Sequence, residues 1–233
     1  SLTTTQIGAL STAQAEALTT GQVAALGSSQ IAALSSADIA TFSTADIAAI
    51  SATALTGLST DNLAALSTDQ AAALKTTQVA ALKTAQVAAL TTAQIGSLSS
   101  SQINALSGTQ VAALSTGDLA ALSTDQIAAL NTKSVGSLTT TQIGALSTAQ
   151  AEALTSGQVA ALGSAQIAAL STDDIATFST ADIAAIKSTA IAGLSTDDIS
   201  HLSSAQLLAV TTAQVAALNT SQVEAIIAAY HAI

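Results

Sequence analysis

From Leu2 onward every eighth residue is apolar: Leu2, Leu10, Leu18, Leu26, Leu34, Phe42, Ile50, Leu58 and so on to Ile226. Counting that residue as position 1, position 6 is Ile, Val or Leu in every octad except those of Ala15, Ala71 and Ala151. Position 2 is Ser, Thr, Asn or Gly, with Lys75, Lys83 and Lys187 as interior exceptions, and position 5 is mostly Gln or Asp. The consensus reads Leu-Ser-Thr-Ala-Gln-Ile-Ala-Ala. Ser or Thr followed three residues later by Gln is a capping box: the hydroxyl accepts from the N3 amide and the Gln side chain returns to the N-cap amide. Apolar residues just before the cap and at N4 form the hydrophobic staple that sets the entry angle of the helix. Each octad therefore predicts a helix of about six residues, roughly 9 Å long at 1.5 Å per residue. Helices so short do not persist alone in water. A strict short period means that each unit must bury its apolar face on its neighbours.

Other periodic folds fit the residues less well. A continuous helix would place Ser-Thr pairs at regular interior sites, where both are poor helix formers. A β-solenoid would need period-two alternation. Successive helices share a cap and have almost no linker, whereas an αα-hairpin uses 2–5 loop residues, so the chain is expected to turn a sharp corner at each cap. The prediction is an all-α solenoid with one short helix per octad and three octads per coil, a triangular prism, with four per coil as the alternative. Positions 1 and 6 would fill the axis, and Ala at positions 7 and 8 would let coils approach closely.

Two features lie above the octad. Residues 1–50 match residues 137–186 at all but four positions (Thr20/Ser156, Ser29/Ala165, Ser36/Thr172, Ala37/Asp173), an offset of 17 octads. Block duplication at that offset is indifferent to the coil phase and implies interchangeable octads. The pattern then breaks after Asn219, where no new cap appears and one longer helix is expected from about Thr220. The organisation expected is an octapeptide-repeat solenoid over residues 1–218 and a capping helix of the same domain over residues 219–233. Ser1 falls at the eighth position of an octad, which suggests a trimmed, processed or fragmentary start.

Composition narrows the function. Apolar residues make up 49% of the chain, most of them Ala, and aromatics only 1%, so a conventional globular core of large side chains is not expected. A net charge of −10 with four scattered Lys disfavours nucleic-acid binding, which needs a basic face. Polar residues interrupt every octad, so no membrane span of about 20 apolar residues exists in the sequence. The absence of Cys rules out disulfides and thiol chemistry.

Candidate chemistry is sparse. His201 and His231, the two imidazoles, stand in different octads, and no His/Asp/Glu cluster at ligand spacing surrounds them. Tyr230 fits the terminal cap. Asp173-Asp174 and Asp197-Asp198 offer carboxylates for Ca²⁺ but lack a calcium-loop pattern, and acidic residues suit helix starts in any case. Lys75 and Lys83 repeat one octad position in neighbouring units. Stacked Ser/Thr pairs at positions 2 and 3 would form a regular hydroxyl array able to meet ice, glycan or mineral. No catalytic, cofactor-binding or metal residue is assigned, and no cofactor or small-molecule substrate is expected. An N-terminal face without a lid leaves end-to-end self-association open.

The phrase Leu-Ser-Thr-Ala-Gln-Ile-Ala-Ala-Leu resembles the octapeptide tracts of very large bacterial secreted or surface proteins of the adhesin, haemagglutinin and haem-utilisation type. The resemblance runs along essentially the whole chain. It implies a non-catalytic stalk, rod or filament segment outside the cell or on its surface, and it transfers no functional residues.

Overall fold

A computed structural model describes residues 2–231. Among them are 28 short helices and no strand, one helix per octad. All but the last are four to six residues long, from Thr4–Gly8, Thr12–Glu16 and Thr20–Ala24 at the start to Thr212–Val215. The last, Thr220–His231, has twelve residues. This longer helix starts behind the Asn219 cap and continues because the next octad, at Ile227, supplies none; residues 232–233 lie outside the described part.

The corner between helices is two consecutive extended residues, positions 1 and 2. Phe42 (φ −64°, ψ 137°) ends the helix Ser36–Thr41 and Ser43 (φ −66°, ψ 162°) caps the next. No described residue has a positive φ. The helices do not stop in a left-handed glycine turn; each stops because the next cap competes for the chain. That is why a protein bending every eight residues has no Pro and few Gly.

The chain forms two compact units, Ser1–Leu122 and Ser123–Ile233. Within each, a helix lies against the helix three further along. In the first, Thr12–Glu16 packs on Ser36–Thr41, Thr20–Ala24 on Thr44–Ala49, and Thr68–Ala72 on Thr92–Ser97. In the second, Ser156–Val159 packs on Thr180–Ala185, and Thr180–Ala185 on Ser204–Ala209. Three octads therefore make one coil. The axis is filled by position 6 (Ile31, Ile39, Leu63, Ile167 and Ile175, all at 0% exposure) and by position 1 (Leu34, Leu74, Leu154, Leu170). Small residues at positions 7 and 8 meet across coils: a Cβ on Gly8 would lie 3.3 Å from the Ala33 carbonyl oxygen. Among the described residues no helix is long and apolar enough to cross a membrane.

Candidate functional site

The distinctive chemistry of the molecule lies between coils, at position 5. Gln78 opens the helix Thr76–Ala81, and its Oε1 accepts the backbone N–H of Lys75 at 2.6 Å, as the capping box requires. Its Nε2 then crosses to the coil below and donates to the carbonyls of Ile47 (2.8 Å) and Ile50 (2.7 Å), the closing carbonyls of the helix Thr44–Ala49. One buried amide thus caps the start of its own helix and the end of another. Gln78 is 1% exposed.

The arrangement recurs at fixed separations of 28 and 31 residues. In the first unit Gln94 reaches Leu66 and Leu63 (2.6 and 2.8 Å), and Gln110 reaches Leu82 and Val79 (2.8 and 3.0 Å). In the second, Gln158 reaches Leu130 and Ile127 (2.7 and 2.8 Å), and Gln214 reaches Ile186 and Ile183 (2.7 and 2.8 Å). The position-6 carbonyls of Leu63, Val79, Ile127 and Ile183 already accept the N–H of the position-1 residue that follows (3.1–3.3 Å), so there the glutamine adds a second donor. The position-1 carbonyls have no such backbone donor, and burying one without a partner costs about 1–3 kcal/mol; the glutamines supply it. Sequence reasoning assigned the Gln only to its own cap. The available signal was that a capping box accepts Glu as readily as Gln, yet the three Glu, Glu16, Glu152 and Glu224, all stand at position 7 and none at position 5.

Where position 5 is Asp, the seam changes. A carboxylate cannot donate to carbonyls, so it accepts instead. Asp46 Oδ2 takes the Ser43 N–H and hydroxyl (3.0 and 2.6 Å), and Oδ1 takes the hydroxyl of Thr20 in the coil below (2.6 Å). Burial pushes the Asp46 pKa up. Hydrogen bonds from the Ser43 hydroxyl, the Thr20 hydroxyl and the Ser43 amide outweigh it and hold the carboxyl below the usual aspartate range. Thr92 with Asp118, Ser156 with Asp182 and Thr172 with Asp198 repeat the cross-coil bond (2.6–2.8 Å). Some position-3 hydroxyls of the expected surface array are therefore committed to the seam.

The residues singled out from sequence do not converge. Asp174 and Asp198 are buried in their capping boxes, while Asp173 and Asp197 point outward, so neither Asp-Asp pair faces one ligand. His201 is exposed, with Nδ1 2.8 Å from the Asp197 carbonyl oxygen and 3.5 Å from its carboxylate. His231 lies exposed at the end of the last described helix. Lys75 and Lys83 occupy exposed N-cap positions, and the Lys83 ammonium donates to the Thr56 carbonyl at 3.0 Å, a helix end suited to a cation. Among the described residues no three His, Asp or Glu side chains cluster as metal ligands.

The family model of the ALTTAQ repeat matches the chain in overlapping stretches from residues 1–28 and 16–44 to residues 148–180 and 175–212, tiling residues 1–212. The chain belongs to the ALTTAQ repeat family. No curated protein matches it.

Proposed function

We propose that this ALTTAQ repeat chain is a non-catalytic structural protein, an elongated spacer or filament segment of a bacterial extracellular or cell-surface protein. The observation that carries the reading is the recurrent seam: a position-5 amide spans the same two carbonyl positions at repeated corners of both units. Buried polar side chains of this molecule are spent on holding coils together, and stability in such stacks grows with each neighbour added. The surface location rests on the resemblance to giant bacterial surface proteins, and the role of spacer on the repetition itself. Small-angle scattering of the purified chain is expected to give the profile of an elongated particle; a profile fitted by a compact sphere overturns the proposal. Labelling of intact host cells with an impermeant reagent tests the location, and exclusive labelling after lysis overturns that part.

A further inference from the structure

Glutamine and its replacements at position 5 come in runs. In the first unit six successive octads carry Gln, from Gln70 to Gln110, and each donates to the position-1 carbonyl 28 residues earlier at 2.5–2.9 Å. Just before that run stand Asp38, Asp46, Ala54 and Asn62. In the second unit Asp174, Asp182, Ala190 and Asp198 stand together, with Gln166 before them and Gln206 after. Three octads make one coil, so each run without Gln is longer than a full turn. Along that turn the seam lacks its two-donor amide at every corner.

What replaces the amide holds differently. In the second unit Ser156 and Thr172 each donate a hydroxyl to Asp182 and Asp198 (2.6 and 2.7 Å). Those carboxylates accept and cannot donate, and Ala190 has no polar group. Beneath them the carbonyls of Leu146, Leu154, Leu162 and Leu170, all buried residues, take no hydrogen bond from the described residues. Their counterparts Leu138 and Phe178, on either side of the run, each receive a Gln Nε2 at 2.7 Å. The first unit repeats this: Thr20 donates to Asp46 at 2.6 Å, and only Asn62 reaches a carbonyl, that of Leu34 at 3.1 Å. Under Ala54 and Ala190 the coils meet by close contact, Gly57 over Ser28 and Gly193 over Ser164. Contact is short-ranged, and a gap of about 0.5–1 Å already forfeits a quarter to a half of it. Parting this seam also releases ionised carboxylates and bare carbonyls to water, which solvates both, whereas parting a Gln seam breaks two bonds at each corner.

We infer that each unit carries one yielding turn, residues 34–65 in the first and residues 170–201 in the second, where neighbouring coils part reversibly while the Gln-tied coils stay closed. In a spacer such a turn is a fixed point of bending and extension that spares the rest of the stack. Each helix packs chiefly on the helix one coil away, so a seam can open without disturbing distant contacts. The inference rests on the structural-repeat reading. Its failure would leave a uniformly stiff spacer with the same elongated scattering profile, so the two fail separately.

Thiol labelling of the full chain tests it. The chain has no Cys, so one buried thiol reports opening by its labelling rate. Ile183→Cys places the reporter in the yielding turn and Val87→Cys in the Gln-tied run, both at side chains of 0% exposure. Each rate is divided by that of the same thiol in the urea-unfolded chain. Ile183→Cys is expected to label at least about tenfold faster, the equivalent of one or two net hydrogen bonds, and with a shallower urea dependence than global unfolding. Adding Asp174→Gln, Asp182→Gln and Asp198→Gln is expected to slow it about tenfold, and Gln78→Asp, Gln86→Asp and Gln94→Asp to speed Val87→Cys by a similar factor. Equal rates at the two reporters, rates unmoved by the exchanges, or labelling with the urea dependence of global unfolding each overturns the inference. Should a Cys variant not fold, hydrogen exchange of the unsubstituted chain read by mass spectrometry gives the second readout. Residues 170–201 are expected to exchange through a local opening ahead of residues 74–105, and simultaneous exchange overturns the yielding turn.

Discussion

Two corners in the first unit solve the same problem in opposite ways. Above the helix Thr44–Ala49 stands Gln78, whose amide fills the gap between coils and satisfies two carbonyls. Above the helix Thr20–Ala24 the same octad position holds Ala54, which has no donor, and the backbone closes in instead. A Cβ added to Gly57 would sit 2.1 Å from the Ser28 carbonyl oxygen, so the space a side chain would take is occupied by the coil below. The pair recurs in the second unit, where Ala190 replaces the Gln and Gly193 would meet the Ser164 oxygen at 2.2 Å. In each case the next helix of the coil below, Ser28–Ile31 or Ser164–Ile167, begins at a glycine N-cap, Gly27 or Gly163. Spacing between coils is thus set locally, by an amide spacer at one corner and by paired small residues at another. The octads are therefore less interchangeable than the duplication suggests: Ala54-Gly57 must lie three octads after Gly27-Ser28, and any slip of the stack by one octad separates them.

The largest expected effect comes from forcing the tight corner open. Gly57→Ala places a methyl group against backbone that cannot rotate away, and should cost about 3 kcal/mol, read as a lowered urea midpoint with unchanged helical signal. A loss below a few tenths of a kcal/mol would show that the coil relaxes freely and that closeness is not structural there. Gln78→Glu addresses the other corner. Its carboxylate can still accept from the Lys75 amide, but it turns an acceptor toward the carbonyls of Ile47 and Ile50, and a loss of about 2 kcal/mol is expected. The same change at exposed Gln22, where no seam bond exists, should be nearly silent; equal losses at both sites would reduce the glutamine to its cap.

The smallest effect sharpens the acidic version of the seam. Thr20→Val removes the cross-coil donor to Asp46 and should cost about 1 kcal/mol at neutral pH. The Asp46 pKa is lowered on folding, so its stabilisation is complete above the unfolded value and is lost as pH falls through the folded one. Removing Thr20 raises the folded pKa toward the unfolded value and shrinks that loss. Thermal unfolding of both chains at neutral pH and near pH 3 measures it, and parallel acid losses would mean that the Thr20 hydroxyl does not bind the charged carboxylate.

Much of this was legible along the chain. The helix starts, the eight-residue pitch, the buried positions 1 and 6, and the long last helix follow from residues within a few places of one another. Capping boxes are local: the hydroxyl of Ser67 and the amide of Gln70 meet wherever the segment is helical. Candidate chemistry was legible mainly as scatter, because the His and outward Asp residues sit on different octads and the fold gives them no common face.

The second bond of each glutamine was not legible, since its acceptors lie 28 and 31 residues away and are ordinary backbone carbonyls that carry no residue signature. The corner at Gly57 was hidden for the same reason: a glycine at position 8 gains meaning only when Ser28 is known to lie beneath it. Sequence alone determined where each helix begins and which side it buries, because capping and apolar periodicity act over one turn. Tertiary structure decided which octad lies over which, because that choice depends on how short helices pack around a shared axis, and only then does a capping side chain become the bond between coils.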